Sequence, residues 1–410
     1  MAAGDPHSTL PRLRRVEIIP VRQGREQVLA LRDPSGLAEE TVVVSAATLL
    51  ILQMLDGRHT MRELQTELMR RTGQLVRSDQ IERLIAQFDE QFLLETDRFE
   101  EHRRRRLEAF RASGVRLCRD EGGYPREPKA FAVMVDGWRQ DLPPRATAAT
   151  GELVGAIAPH IDYGRGHASY AHVYRDLDEA CQADLFIILG TDHYGDTQFA
   201  ATRCDFETPF GRVRTARDVL ERLEQRFIGD LFDGELQHVG EHTIEFQVLL
   251  LQHLIGRKRD FEIVPLLCGG LQEEIDDGRS ASENAEVRSL TECLGEIMAD
   301  PSRPACLLAS VDLSHVGPSF GGDRPVTPGL LEKIEAHDRA VLDAAVALDP
   351  DRLFQVVAGR RNDTNICGLS PLVLAAGSLP PCRGELLDYR QATAPDRSQS
   401  VTFAAATFWR

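Results

Sequence analysis

Four apolar segments of this chain each run directly into a chemically capable residue, and three of them deliver a histidine. Leu153-Val-Gly-Ala-Ile-Ala-Pro ends at His160, and Leu185-Phe-Ile-Ile-Leu-Gly-Thr-Asp ends at His193. Cys306-Leu-Leu-Ala-Ser-Val leads to Asp312 and His315, and Phe261-Glu-Ile-Val-Pro-Leu-Leu leads to Cys268-Gly-Gly. Short continuous apolar runs of this kind read as strands buried on both faces, the signature of a parallel sheet. Open α/β sheets bind ligands in the crevice at the carboxyl ends of their strands. Imidazoles delivered there repeatedly mark a candidate site.

Between these runs lie amphipathic segments at Ala168–Cys181, Arg217–Phe227 and Thr243–Ile255, and the alternating run from Ser400 to Trp409 reads as a closing strand. The order predicts an α/β fold with a mostly parallel sheet flanked by helices on both faces. The acidic stretch Gln272 to Ala285 reads as a surface loop.

The 410 residues suffice for two domains. A formal net charge of −16 argues against a nucleic-acid or anionic-membrane footprint, since both require clustered Lys and Arg. No basic segment precedes an apolar stretch at the N-terminus, and the run Val42 to Leu55 is too short to span a bilayer. Eight cysteines without a C-x-x-C pair fit reduced thiols. The expectation is a cytoplasmic protein.

Residues 1–100 carry a different pattern. One strand-like stretch runs from Val16 to Leu31. Ser45 can cap a helix through Leu55, Thr60 a helix from Met61 to Arg71 stopped by Gly73, and Ser78 a helix from Ile81 to Phe92. A short strand at Phe92–Thr96 would complete a small winged-helix-like module. Residues 101–114 read as a charged linker, with Arg103–Arg106 paired to Glu100, Glu101 and Glu108, and residues 115–410 as the α/β domain.

Within that domain, the spacing of Asp312 and His315 lets a carboxylate orient an imidazole, as general-base and metal-ligand histidines require. Cys367 lies just ahead of an apolar helix at Pro371–Gly377, where a helix N-terminus would lower a thiol's pKa. Glu241, His242 and Glu245 open the Thr243–Ile255 helix and are expected to line the same crevice. His238-Val-Gly-Glu-His242 matches the H-x-x-E-H pattern of one zinc peptidase class. Gly240, however, places His238 in the loop ahead of the helix. No phosphate-binding G-x-x-x-x-G-K-[ST], no dinucleotide G-x-G-x-x-G after a strand and no G-x-S-x-G is present.

Together the segments resemble the Memo family. The matching pieces are Gly123-Tyr124-Pro125, Ala158-Pro-His160-Ile-Asp-Tyr163, Gly190-Thr-Asp-His193, Thr208-Pro-Phe-Gly211, Glu241-His-Thr-Ile-Glu245, Ser310-Val-Asp312-Leu-Ser-His315 and Ile366-Cys-Gly368, collinear over 115–410. Prokaryotic members are often the B protein of the AmmeMemoRadiSam system. The fold is similar to that of the class III, LigB-type extradiol dioxygenases. The resemblance implies His160, His193 and Cys367 as metal ligands, with Asp312, His315 and Cys367 carrying the chemistry. Iron or copper is the implied metal, with zinc also compatible. The chain departs from the family pattern in Ile161-Asp162 after His160 and in lacking an arginine after Cys367.

Residues Thr41 to Thr96 are similar to PqqD-type peptide-recognition elements, on Leu55-Asp-Gly57, Thr60-Met-Arg-Glu-Leu-Gln-Thr-Glu-Leu68 and Gln91-Phe-Leu-Leu94. The resemblance implies a peptide or protein partner for this module. A DNA-binding reading is opposed by Asp79, Glu82, Asp89 and Glu90 on the third helix. The leading expectation is metal-dependent redox or dioxygenase-like chemistry on an unknown small-molecule substrate in a modification pathway. The alternatives are a non-catalytic iron- or copper-binding or scaffold protein, and a zinc hydrolase.

Overall fold

The apolar runs are strands, and the computed structural model shows why they are continuous. It describes residues 8–23, 26–38, 40–73, 75–119, 123–140, 142–143 and 151–410. In the strand Leu185–Thr191, Leu185, Ile187 and Leu189 face one hydrophobic core while Phe186 and Ile188 face another. In Ala305–Ser310, Leu307 and Ala309 join the first core, and Cys306 and Leu308 the second. Each side chain therefore has a core to enter, so no position needs a polar residue.

The first core is closed by Arg217–Glu224, Ala285–Met298, Pro328–Val346, Pro350–Ala358 and Leu369–Ser378. The second is closed by Pro128–Gln140, Tyr163–Ala180 and Thr243–Leu254. Helices thus cover both faces of a large α/β sheet. Thr243–Leu254 departs from its expected amphipathic character. All but one of its residues are buried, because it packs on the sheet and against the neighbouring helix Tyr163–Ala180.

The sheet has eleven strands among the described residues. Leu153–Ala158, Ala305–Ser310, Leu185–Thr191, Glu262–Cys268 and Gly211–Thr215 are parallel neighbours in that order. Both margins carry antiparallel pairs. Ser400–Trp409 pairs antiparallel with Leu153–Ala158, Asp312–Val316 and Arg383–Thr393, and is buried at every position. Asp205–Thr208 and Gly211–Thr215 form a hairpin. The stretch Gln272–Ala285, expected as a loop, holds the helix Gln272–Asp277 and a turn at Ala281–Glu283, with Glu274 and Ile275 buried. Ser280 and Glu283 cap that turn reciprocally.

The chain divides into two units, Met1–Ala112 and Ser113–Arg410. In the first, the expected stretch Val16 to Leu31 is two strands, Glu17–Gln23 and Glu26–Arg32, joined by a third, Val42–Ser45, in an antiparallel sheet. Leu29, Leu31, Val42 and Val44 turn inward onto Leu52, Leu64, Leu68, Ile81 and Phe88 of the helices. Thr60 and Glu63 form the capping box of Met61–Thr72, and Gly73 ends it with a positive φ. Ser78 is the first residue of Ser78–Glu90 rather than its cap, and its hydroxyl accepts a hydrogen bond from Gln65. The charged run lies in the helix Asp97–Ser113, where Arg103 pairs with Glu100, and Arg104 and Arg105 with Glu101. Among the described residues no helix is long and apolar enough to cross a membrane.

Candidate metal centre

Three parallel strands deliver the site. His160 follows Leu153–Ala158, Asp312 follows Ala305–Ser310, and His193 follows Leu185–Thr191. The strand Ala305–Ser310 lies between the other two. The two histidines therefore come from next-nearest rather than adjacent strands, with Asp312 between them. Cys367 arrives from the turn joining Pro350–Ala358 to Leu369–Ser378. That turn is tight. Arg361, Asn362 and Asn365 have positive φ, and the Asn362 side chain bonds both the N–H and the carbonyl of Ile366. At Gly368 a Cβ would lie 2.5 Å from the Val311 Cβ and 2.7 Å from the Asp312 carbonyl oxygen, so only glycine lets the turn come this close.

His160, His193 and Cys367 each present one donor atom, and these atoms all lie within 4.8 Å of one another. The Cys367 sulfur is 3.4 Å from Nε2 of His160. Nδ1 of His160 lies 2.9 Å from the Ser310 carbonyl oxygen, which can only accept, so Nδ1 carries the proton and Nε2 the lone pair that faces the Cys367 thiol. Nδ1 of His193 lies 3.1 Å from a Glu241 carboxylate oxygen, so Nε2 is its remaining nitrogen. The donor set suits iron, copper or zinc.

Proton affinities around this cluster diverge. Burial, helped by the neighbouring His193 and His242, holds His160 well below the ordinary imidazole range. Burial acts the same way on His193, but the Glu241 carboxylate beside it wins and holds His193 well above that range. Burial raises the Cys367 thiol despite its contact with His193. This corrects the expectation of a thiol lowered by a helix N-terminus, because desolvation outweighs the short helix beyond Gly368.

Asp312 is buried, and its Oδ1 accepts the N–H groups of His160 at 3.0 Å and Ile161 at 3.2 Å. Burial raises its carboxyl to about 7. His315 stands on Asp312–Val316 outside the donor cluster. Its Nδ1 bonds the Leu313 carbonyl at 3.0 Å and its ring meets Phe320 edge-on. Burial lowers it to about 4.

A cavity of about 440 Å³ opens beside the cluster, and its wall includes Tyr124, His160, Arg165, His193, His242 and His315. Asp312 and Glu245 also reach it. Glu241, expected on the wall, stands behind the histidines at 2 % exposure. Glu245 is 2 % exposed and forms a buried ion pair with Arg116, and the Tyr124 hydroxyl donates to it. Arg116 was not anticipated. A lone arginine beside short apolar residues carries no sequence signal of burial, and its partner is remote in the chain. Ser310 was missed for the same kind of reason, since it acts through a backbone carbonyl.

The H-x-x-E-H match does not form a metal site. His238 sits in the short helix Gln237–Gly240, not in a loop, and its Nε2 bonds the Ala200 carbonyl at 3.0 Å.

A parallel-centred α/β sheet with two imidazoles and a thiol at its strand ends defines the class of protein. The family model described as "Memo-like protein" matches residues 122–407. The chain belongs to the Memo family. It is similar to a MEMO1 family protein of Aquifex aeolicus, 24% identical over 384 residues, covering 92% of this chain and 95% of the relative. A MEMO1 family protein of Thermus thermophilus is 26% identical, covering 82% of this chain and 94% of the relative. One of Methanosarcina acetivorans is 30% identical over 261 residues, covering 62% and 85%. The Aquifex alignment is too long to fit within residues 113–410 and so extends into the N-terminal unit.

Proposed function

We propose that this Memo-family protein holds a single iron or copper ion, with zinc as the alternative, through His160, His193 and Cys367, and carries out metal-dependent redox chemistry on a small molecule. The observation that carries this reading is the convergence of the three donor atoms within 4.8 Å, with both Nδ1 atoms engaged elsewhere. Bound there, iron or copper would supply one-electron chemistry and Lewis acidity.

The chain's own residues do the rest. Ser310 and Glu241 orient the two imidazoles, as partners of metal-ligating histidines do. Asp312 and His315 face the cavity as the groups that hold or move protons near a bound substrate. Tyr124, Phe246 and Phe320 supply apolar lining to the cavity.

The proposal extends to the AmmeMemoRadiSam B-type role and to a PqqD-like N-terminal unit that recruits a peptide or protein in the cytoplasm. The peptide-recruiting part is supported by a three-stranded antiparallel sheet with two edges, Glu17–Gln23 and Val42–Ser45, followed by the helices Met61–Thr72 and Ser78–Glu90. A peptide can add to such an edge as a further strand.

Anaerobic purification of the full chain with elemental analysis tests the metal. About one equivalent of iron or copper per chain is expected. Zinc alone would favour hydrolytic chemistry, and a chain that takes up none of the three would overturn the reading.

A further inference from the structure

Glu241 ends the short helix Gln237–Gly240, and Thr243–Leu254 begins two residues later. Its side chain folds back over that junction. Oε1 accepts the N–H groups of His242 at 2.8 Å and Thr243 at 3.2 Å. Oε2 accepts the N–H of His193 at 2.9 Å. These backbone bonds place the carboxylate without help from any side chain. Arg116 pins the same junction by donating to the carbonyls of His238 at 2.9 Å and Glu241 at 2.6 Å.

Each carboxylate oxygen has one further contact. Nδ1 of His193 lies 3.1 Å from Oε2, and Nδ1 of His242 lies 3.1 Å from Oε1. An ionised carboxylate only accepts, so the hydrogen-bonded Nδ1 of His193 carries a proton, and Nδ1 of His242 stands within ion-pair distance of the same carboxylate. The two rings are parallel to within 4°, with centroids 5.5 Å apart. Five contacts from three backbone N–H groups and two imidazoles leave this carboxylate poorly placed to serve as a metal ligand itself, although His193, Glu241 and His242 lie close enough to form a second cluster.

We infer that Glu241 is a positioning residue. A single buried carboxylate fixes His193 and His242 together, each with a protonated Nδ1 turned towards Glu241 and Nε2 turned away. His193 thereby offers Nε2 to the cluster with His160 and Cys367, and His242 offers Nε2 to the cavity. The ligand role of His193 rests on the metal reading above; the contact that both imidazoles share with Glu241 does not.

The experiment has two arms on the full-length protein. In the first, nitrogen-15 NMR of the histidine rings reads protonation at Nδ1 without any metal, with His193→Gln and His242→Gln assigning the signals. Both Nδ1 positions should be protonated and protected from exchange. Glu241→Ala should remove both signals, and Glu241→Gln, with one acceptor oxygen, should keep one at most. An unprotonated Nδ1 on either ring in the unaltered protein, or survival of both signals in Glu241→Gln, overturns the inference even if Glu241→Ala fails to fold.

The second arm measures Co²⁺ affinity. Glu241→Gln should weaken it about 10- to 100-fold, as loss of an outer partner does. The same change added to His193→Gln should cost nothing further. An undiminished loss in that background would mean a merely structural role and overturn the inference. A protein that binds no Co²⁺ at all fails the metal reading instead, and the first arm still decides the role of Glu241.

Discussion

His160 and His193 reach the same small volume from two walls built in different ways. The His160 wall is backbone. Its Nδ1 is held by the Ser310 carbonyl, at the end of a strand hydrogen-bonded on both sides. Gln247 braces that wall by donating to the Pro159 carbonyl at 2.8 Å and the Ser310 hydroxyl at 2.7 Å. The His193 wall is a side chain, the Glu241 carboxylate, set at a helix junction. A carbonyl orients an imidazole without adding charge, so burial dominates and His160 stays neutral. A carboxylate orients and also attracts the proton, so His193 moves the opposite way. The same residue type thus acquires opposite proton affinities within one site.

The largest effects should come from the donors themselves. His160→Ala, His193→Ala and Cys367→Ala should each lower metal affinity by more than about 100-fold, beyond the range of outer-partner losses. Circular dichroism should show the fold retained, since the cavity side of the site is not the core. Near-normal metal content in any one of them would remove that residue from the donor set and with it one of the two walls.

Asp312 separates the walls next. Asp312→Ala strands the N–H groups of His160 and Ile161, and should destabilise the protein by about 1–3 kcal/mol in chemical denaturation. Asp312→Asn keeps an acceptor oxygen for both and should cost little stability, with metal affinity falling about 10-fold. If Asp312→Asn is as damaging as Asp312→Ala, the charge rather than the two backbone bonds holds this wall. Gly368→Ala probes the turn that brings in Cys367. Its Cβ would press on Val311 and Asp312, and an overpacking loss of about 1–3 kcal/mol is expected in thermal or chemical unfolding.

How legible each wall was in the sequence follows from what builds it. The parallel strands were readable because both their faces are buried, which leaves an unbroken apolar run at Leu185–Thr191. The histidines were readable because they end those runs. Arg383–Thr393 was not, since it is an edge strand whose side chains are mostly half-exposed and its sequence mixes Arg, Glu, Leu, Asp and Tyr without alternation. Thr60 and Gly73 announced Met61–Thr72 through local chemistry, a cap and a left-handed stop. Glu241 was noticed but misplaced. Its partner His193 meets it only after the sheet is assembled, and no local spacing records a carboxylate that turns backward.

His238 offers the smallest effect on metal and the cleanest contrast with its neighbour Glu241. It lies three positions earlier, yet its Nε2 bonds the Ala200 carbonyl and its side chain is wholly buried. His238→Ala should leave metal content unchanged, and loss of a full equivalent would revive the H-x-x-E-H reading. Its signature should instead be acid sensitivity. Burial lowers its pKa from 6.5 to about 3, so below pH 6.5 the unfolded chain takes up a proton that the folded one refuses. The unfolded state then binds more protons, and stability falls as pH drops from 6.5 towards 3, by at most about 1.4 kcal/mol per pH unit. His238→Gln keeps a donor for the Ala200 carbonyl but cannot titrate. Denaturation midpoints measured across that window should therefore fall less steeply in His238→Gln than in the unaltered protein. Parallel pH profiles would show that His238 is not the buried neutral imidazole described here.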